Sequence, residues 1–127
     1  MFEKLGLTRM AQALAAHSGQ RLALIADNVA NADTPKFRAR DLPKFHEFHD
    51  DFGKLALKGD EHDPITMEQL NFGRPVYSGG SVSPNGNDVS LEQMMVRSVE
   101  VRQDHEMALA VYRSAAAVLR TSLGRIS

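Results

Sequence analysis

Cysteine is missing from this sequence, and so is tryptophan. Without thiols the chain has no disulfide, no thiolate metal site and no cysteine nucleophile, and nothing ties it to a reducing or an oxidising compartment. An excess of charge of either sign is missing too. Fifteen lysines and arginines face 16 aspartates and glutamates, a formal net charge of -1. No overall field therefore favours nucleic acid, an anionic membrane surface or an acidic substrate. The third absence is a long apolar run. Met10 to Ala16 is interrupted by Gln12 and followed by His17, Ser18 and Gly19, which is too short and too polar for a membrane span. Ala13-Leu14-Ala15 loosely resembles a signal-peptidase site, but no apolar run of the needed length precedes it, so export is expected by a route that leaves the N-terminus uncut.

The 127 residues suit one domain if the apolar residues converge on one core. They are concentrated at the two ends instead, and the middle is rich in Asp, Lys, Gly and Pro. Leu7, Met10, Leu14, Ser18, Leu22, Ile25 and Val29 recur at steps of three and four, which predicts a helix over residues 3–32. Gly19 is its expected weak point, at about 1 kcal/mol relative to Ala. Asp33-Thr34-Pro35 is turn chemistry, because Pro35 pushes Thr34 out of the helical region, and it predicts a stop near Asn31 or Ala32.

A second helix is announced by Ser90, a cap whose partner three residues on is Gln93, with Val89 and Met94 placed as a hydrophobic staple. Leu91, Met94, Ser98, Val101, His105 and Ala108 then alternate steps of three and four. Tyr112, Ala115, Leu119, Ser122 and Ile126 continue the row, with Met95, Leu109, Ala116 and Leu123 alongside. This is a heptad seam widened on one flank. No Gly or Pro interrupts it before Gly124, so it can run for roughly 50 Å at 1.5 Å per residue.

Between the two runs, Phe45, Phe48 and Phe52 have helical spacing after Asp41 and Pro43, and Gly53 ends that segment. Residues 65–82 hold β-branched and aromatic residues, but Pro75 and Gly79-Gly80 limit them to a short hairpin.

Three groups invite a chemical reading. His46 and His49, beside Asp50, Asp51 and the acidic stretch around His62, have the residue types of a metal site. Histidines three apart on a short amphipathic helix more often form its wet edge, and no cofactor or metal is expected. Gly79-Gly80-Ser81 and Asn85-Gly86-Asn87 suggest a phosphate loop, yet no Gly-Lys-Ser/Thr follows. They read as turns leading into the second helix. Lys36, Arg38, Arg40 and Lys44 form a small basic cluster that is followed at once by acids, the pattern of a mixed-charge surface rather than a phosphate-binding one. No nucleophile, base and orienter occupy a recognisable catalytic motif. Neither a small-molecule substrate nor a nucleic acid is expected, and the chain reads as non-catalytic.

The segment Leu24-Ile25-Ala26-Asp27-Asn28-Val29-Ala30-Asn31-Ala32-Asp33-Thr34-Pro35 resembles the N-terminal signature of the flagellar rod and hook family, in which an Asn-rich helix end runs into Thr-Pro. Phe37-Arg38-Ala39-Arg40-Asp41 and Ser83-Pro84-Asn85-Gly86-Asn87-Asp88-Val89-Ser90-Leu91-Glu92-Gln93 extend the likeness to one rod subunit of that family in particular, and the C-terminal helix also fits. The chain departs from the pattern at two places. Many axial relatives carry Gly-Tyr after Thr-Pro where this chain has Lys36-Phe37, and Met94 stands where an acidic residue is common.

The resemblance implies a mainly α fold, in which residues 1–34 and 85–127 pair as a coiled-coil-like helical core around a small irregular or short-hairpin insertion, 35–84. It implies a structural subunit of the flagellar basal-body rod, exported without cleavage to a periplasmic position. Its partners there would be copies of itself, other rod proteins, the rod adaptor, the membrane-anchored ring protein and the export apparatus. The expected assembly surfaces are the apolar rows already named, from Leu7, Met10, Leu14, Leu22, Ile25 and Val29 on one helix to Leu91, Met94, Val101, Ala108, Tyr112, Ala115, Leu119 and Leu123 on the other. Asn28 and Asn31 supply polar contacts at the helix end, Thr34 and Pro35 the stop, and Ser90 and Gln93 the cap. A neighbouring rod protein, a helical export chaperone or adaptor, and a small metal-dependent enzyme are the alternatives. One helical hairpin cannot bury every stripe, so other chains are expected to cover the rest.

Overall fold

The computed structural model describes residues 2–45 and 72–124. Helix α1 spans Phe2–Ala30, strand β1 Arg40–Asp41, strand β2 Val76–Tyr77 and helix α2 Leu91–Gly124. α1 ends, and α2 begins, where the local chemistry predicts. Past Ala30 the Asn31 amide still donates to the Asp27 carbonyl at 3.1 Å, and a turn then closes with Thr34 N–H on the Asn31 carbonyl. At the start of α2 the Met94 amide reaches the Ser90 carbonyl at 2.9 Å, and the Ser90 hydroxyl accepts from the Gln93 amide at a long 3.4 Å. Val89 packs against the cluster that contains Met94, so the staple forms. Gly19 does not break α1, which continues through it with that position facing solvent.

The two helices run antiparallel and pack together along their length. Ile25, late in α1, shares a buried cluster with Met94 and Val101, early in α2. Midway, the His105 ring donates from Nδ1 to the Ala15 carbonyl at 3.2 Å. Leu7, early in α1, faces Ala110, Ser114 and Val118, late in α2. The buried row of α2 is Met94, Val101, Ala108 and Ala115, spaced by seven residues throughout, the repeat that keeps one seam turned toward a partner helix. Ala11, Ser18 and Ile25 are buried at the same spacing on α1. Alanine at several of these positions allows close approach of the backbones.

A second buried face of α1, next to the first, receives the middle of the chain. Ala13, Leu42 and Phe72 form its core, with Ala16, Leu24 and Phe45 around them, and Ala39 enters the other cluster beside Ile25 and Met94. Ala39, Leu42 and Phe72, from the two described parts of the insertion, are thus packed into the helical core. The strand pairing also differs from a local hairpin within 65–82. β1 and β2 pair antiparallel, with Arg40 opposite Tyr77 and Asp41 opposite Val76, so the pairing joins the two ends of the insertion. Pro75, which lacks an N–H, stands just before β2. The segment with Phe48, Phe52 and Gly53, and residues 65–71, lie outside the described residues.

Candidate functional site

Where α1 stops and α2 begins, side-chain amides and carboxylates hold the chain in register. Asn28 is fully buried. Its Nδ2 donates to the Arg40 carbonyl at 2.9 Å and its Oδ1 accepts from the Arg40 amide at 3.1 Å, so one side chain pairs with both backbone groups of a residue at the start of β1. The same Nδ2 meets Met94 Sδ at 3.6 Å, linking α1 to α2. Asn87 works from the other side. Its Nδ2 donates to the carbonyls of Asn31 and Thr34, both at 2.8 Å, while its Oδ1 accepts from the Val89 amide at 2.8 Å. Asn31 in turn donates to the Asp27 carbonyl and accepts from the Thr34 hydroxyl.

Asp88 has its side chain entirely shielded from solvent. It accepts from the Ala39 amide at 2.6 Å and from Arg38 Nε at 3.0 Å. The Ala39 amide, followed by the Arg38 guanidinium, holds this carboxyl below the usual carboxylate range, against the opposing effect of burial. Arg38 also lies over the Tyr77 ring, 5.0 Å from its centroid. Gly79 backs onto Asp88 so closely that a Cβ there would overlap the carboxylate. Across the fold, Asp41 receives a two-pronged contact from Arg21, with Nε on Oδ1 at 3.0 Å and Nη2 on Oδ2 at 2.8 Å. Arg97 of α2 approaches Asp41 at 3.7 Å and bonds the Ser78 hydroxyl at 3.1 Å. β1 is thereby tied to both helices by charge-assisted contacts.

Asn85-Gly86-Asn87 is a turn. The Gly86 amide donates to the Ser83 carbonyl at 2.8 Å, and Gly86 has φ +86°. Lys36, which donates its amide to the Asn85 carbonyl, has φ 63°, a left-handed conformation that side chains with a Cβ adopt at a cost. A Cβ on Gly86 would come within 3.2 Å of Lys36. Of the basic cluster, Arg38 is paired to Asp88, and Arg40 faces Asp27 at 3.6 Å on the surface.

The apolar residues expected at assembly surfaces fall into three groups. Ile25, Met94, Val101, Ala108 and Ala115 are buried between the helices, together with Asn28. Met10, Leu14, Leu22, Asn31 and Leu119 are half-buried. Leu7, Val29, Leu91, Tyr112 and Leu123 remain exposed, and Thr34 and Pro35 are also on the surface. Val96, Val99 and Met107, which the periodicity of the sequence does not single out, are with Met95 between 54 and 70% exposed on the side of α2 away from its buried row. Their common outward side is legible only once the inward row has been assigned. Near the far end of the pair, Leu7, Val111 and Val118 line an open apolar groove of about 440 Å³.

Among the described residues no group of three or more His, Asp or Glu side chains is placed to hold a metal ion; His46, His49 and His62 lie outside them. No described helix is long and apolar enough to cross a membrane. Neither models of known protein families nor curated protein sequences yielded a match to this chain.

Proposed function

We propose that the chain is a structural subunit of the flagellar basal-body rod, of the proximal rod type, which stacks helically with its own copies and other rod subunits at the base of the drive shaft. The carrying observation is the outward apolar face of α2, where Val96 is 62% and Val99 59% exposed. A helix pair that has already closed its inner seam leaves such a face for other chains to cover. The motif resemblance supports the same reading, because Asn28, Asn31, Asn87 and Asp88 all belong to the segments that carry it. They also form one joint between α1 and α2.

Val99→Asp is the test. The side chain points away from the buried row, so the variant keeps the helical content and melting behaviour of the parent protein. A charge placed against a neighbouring subunit prevents rod assembly and abolishes motility in a strain that depends on this copy. Motile cells with normal basal bodies would overturn the assignment. A helical export chaperone would instead be recovered as a soluble complex with an axial subunit.

A further inference from the structure

His17 is only 2% exposed, and it occupies the point where α1 meets both described ends of the insertion. Nε2 donates to the Pro43 carbonyl at 2.7 Å. The Phe45 ring lies 5.6 Å away, tilted by 59°, and the Phe72 ring 5.2 Å away, nearly perpendicular at 73°. Phe45 and Phe72 come from opposite ends of the insertion, so one imidazole contacts both. The ring also borders a cleft of about 390 Å³ that takes in Arg21, Lys44, Glu100 and Asp104.

We propose that His17 is an acid-sensitive latch: protonation of its ring weakens the docking of residues 39–45 and 72–78 on α1 while the α1–α2 seam stays closed. A charged imidazole in this position loses hydration. The groups facing it are of both signs. Arg21 on α1 and Lys44 beside Pro43 oppose a positive charge, whereas Asp41 on β1 and Glu100 and Asp104 on α2 favour one. Asp41 is already engaged by Arg21 and approached by Arg97, which weakens its help. Burial is the largest influence and lowers the affinity of the ring for a proton below the ordinary 6.5, opposed chiefly by the bond to Pro43. The undocked state therefore binds more protons than the docked one below pH 6.5. Docking is at full strength above that value and weakens as the pH falls through the depressed one. In the seam, the buried row Met94, Val101, Ala108 and Ala115 contains no titratable group; the His105 ring, which bonds the Ala15 carbonyl across it, is unchanged in His17→Gln, so that variant separates its influence from that of His17.

Hydrogen exchange on the intact chain at pH 7.5 and 5.5, corrected for intrinsic rates, is the measurement. Protection at Leu42 and in residues 76–78 is expected to fall measurably at the lower pH, by at most about tenfold for a single histidine, with little change at Val101 and Ala108. In His17→Gln, whose side-chain amide retains a donor for Pro43 but does not titrate, the same amides should show no such pH dependence. Should His17→Gln leave the insertion undocked at both pH values, proton NMR of the His17 ring in the parent protein decides: a midpoint below 6.5 supports the latch and one above 6.5 overturns it. Equal protection of the parent protein at the two pH values, or the same pH dependence in His17→Gln, also overturns it.

Discussion

Lys36 holds a conformation that its side chain resists. At φ 63° it sits in the left-handed region, which costs an L-residue with a Cβ about 1–2 kcal/mol. The turn tolerates this because the Lys36 amide is bonded to Asn85 and Gly86 lies against its Cα. Replacing Lys36 with glycine relieves the strain, and the greater freedom of glycine in the unfolded chain returns about half of the gain. Chemical denaturation should show Lys36→Gly more stable by roughly 0.5–1 kcal/mol. Gly79 is the opposite case. A methyl group there displaces the Asp88 carboxylate from Ala39 and Arg38, and Gly79→Ala should cost roughly 3 kcal/mol, read as a drop in melting temperature. An unchanged melting temperature would mean that the joint between the helices tolerates looser packing than these contacts describe. The sequence points to Asn28 and Asn31 as polar contacts at a helix end. It does not reveal that Asn28 pairs with the Arg40 backbone, or that Asp88 is buried, since such groups look like surface residues until a distant segment supplies their partners.

At the scale of elements, α2 was the most legible part of the chain. Ser90 marks its start, the absence of Gly or Pro before Gly124 its length, and the seven-residue row from Met94 to Ala115 its buried side. α1 was legible in extent and less so in face. Leu7, Leu14 and Leu22 dominate its periodicity, yet the fully buried positions include Ala11, Ala13, His17 and Ser18, small or polar residues that carry little hydropathy signal. Its second face was hidden for the same reason. The pairing of β1 with β2 was not legible because each strand has two residues, and their partners are 35 or more positions apart. Gly19, expected to weaken α1, lies in an unbroken helix with no atom within 4 Å of where a Cβ would be. Gly19→Ala should therefore stabilise the protein by up to about 1 kcal/mol. A loss of stability on that change, measured by thermal or urea unfolding, would show that α1 needs a flexible centre.

The whole molecule closes one seam and leaves another open. Its inner contacts include several alanines and are fixed at one end by the Asn28, Asn87 and Asp88 network and at β1 by Arg21 and Arg97. On the outside, Met95, Val96, Val99 and Met107 face away from α1. The proposed role accounts for both features, since a rod subunit needs a defined helix register and an apolar surface for its neighbours. Imaging of an isolated basal body at side-chain resolution tests this most directly. The account predicts both helices of this chain in the proximal rod, with Val96, Val99 and Met107 covered by adjacent subunits. A proximal rod built without this chain, or one in which that face of α2 meets only solvent, would contradict it.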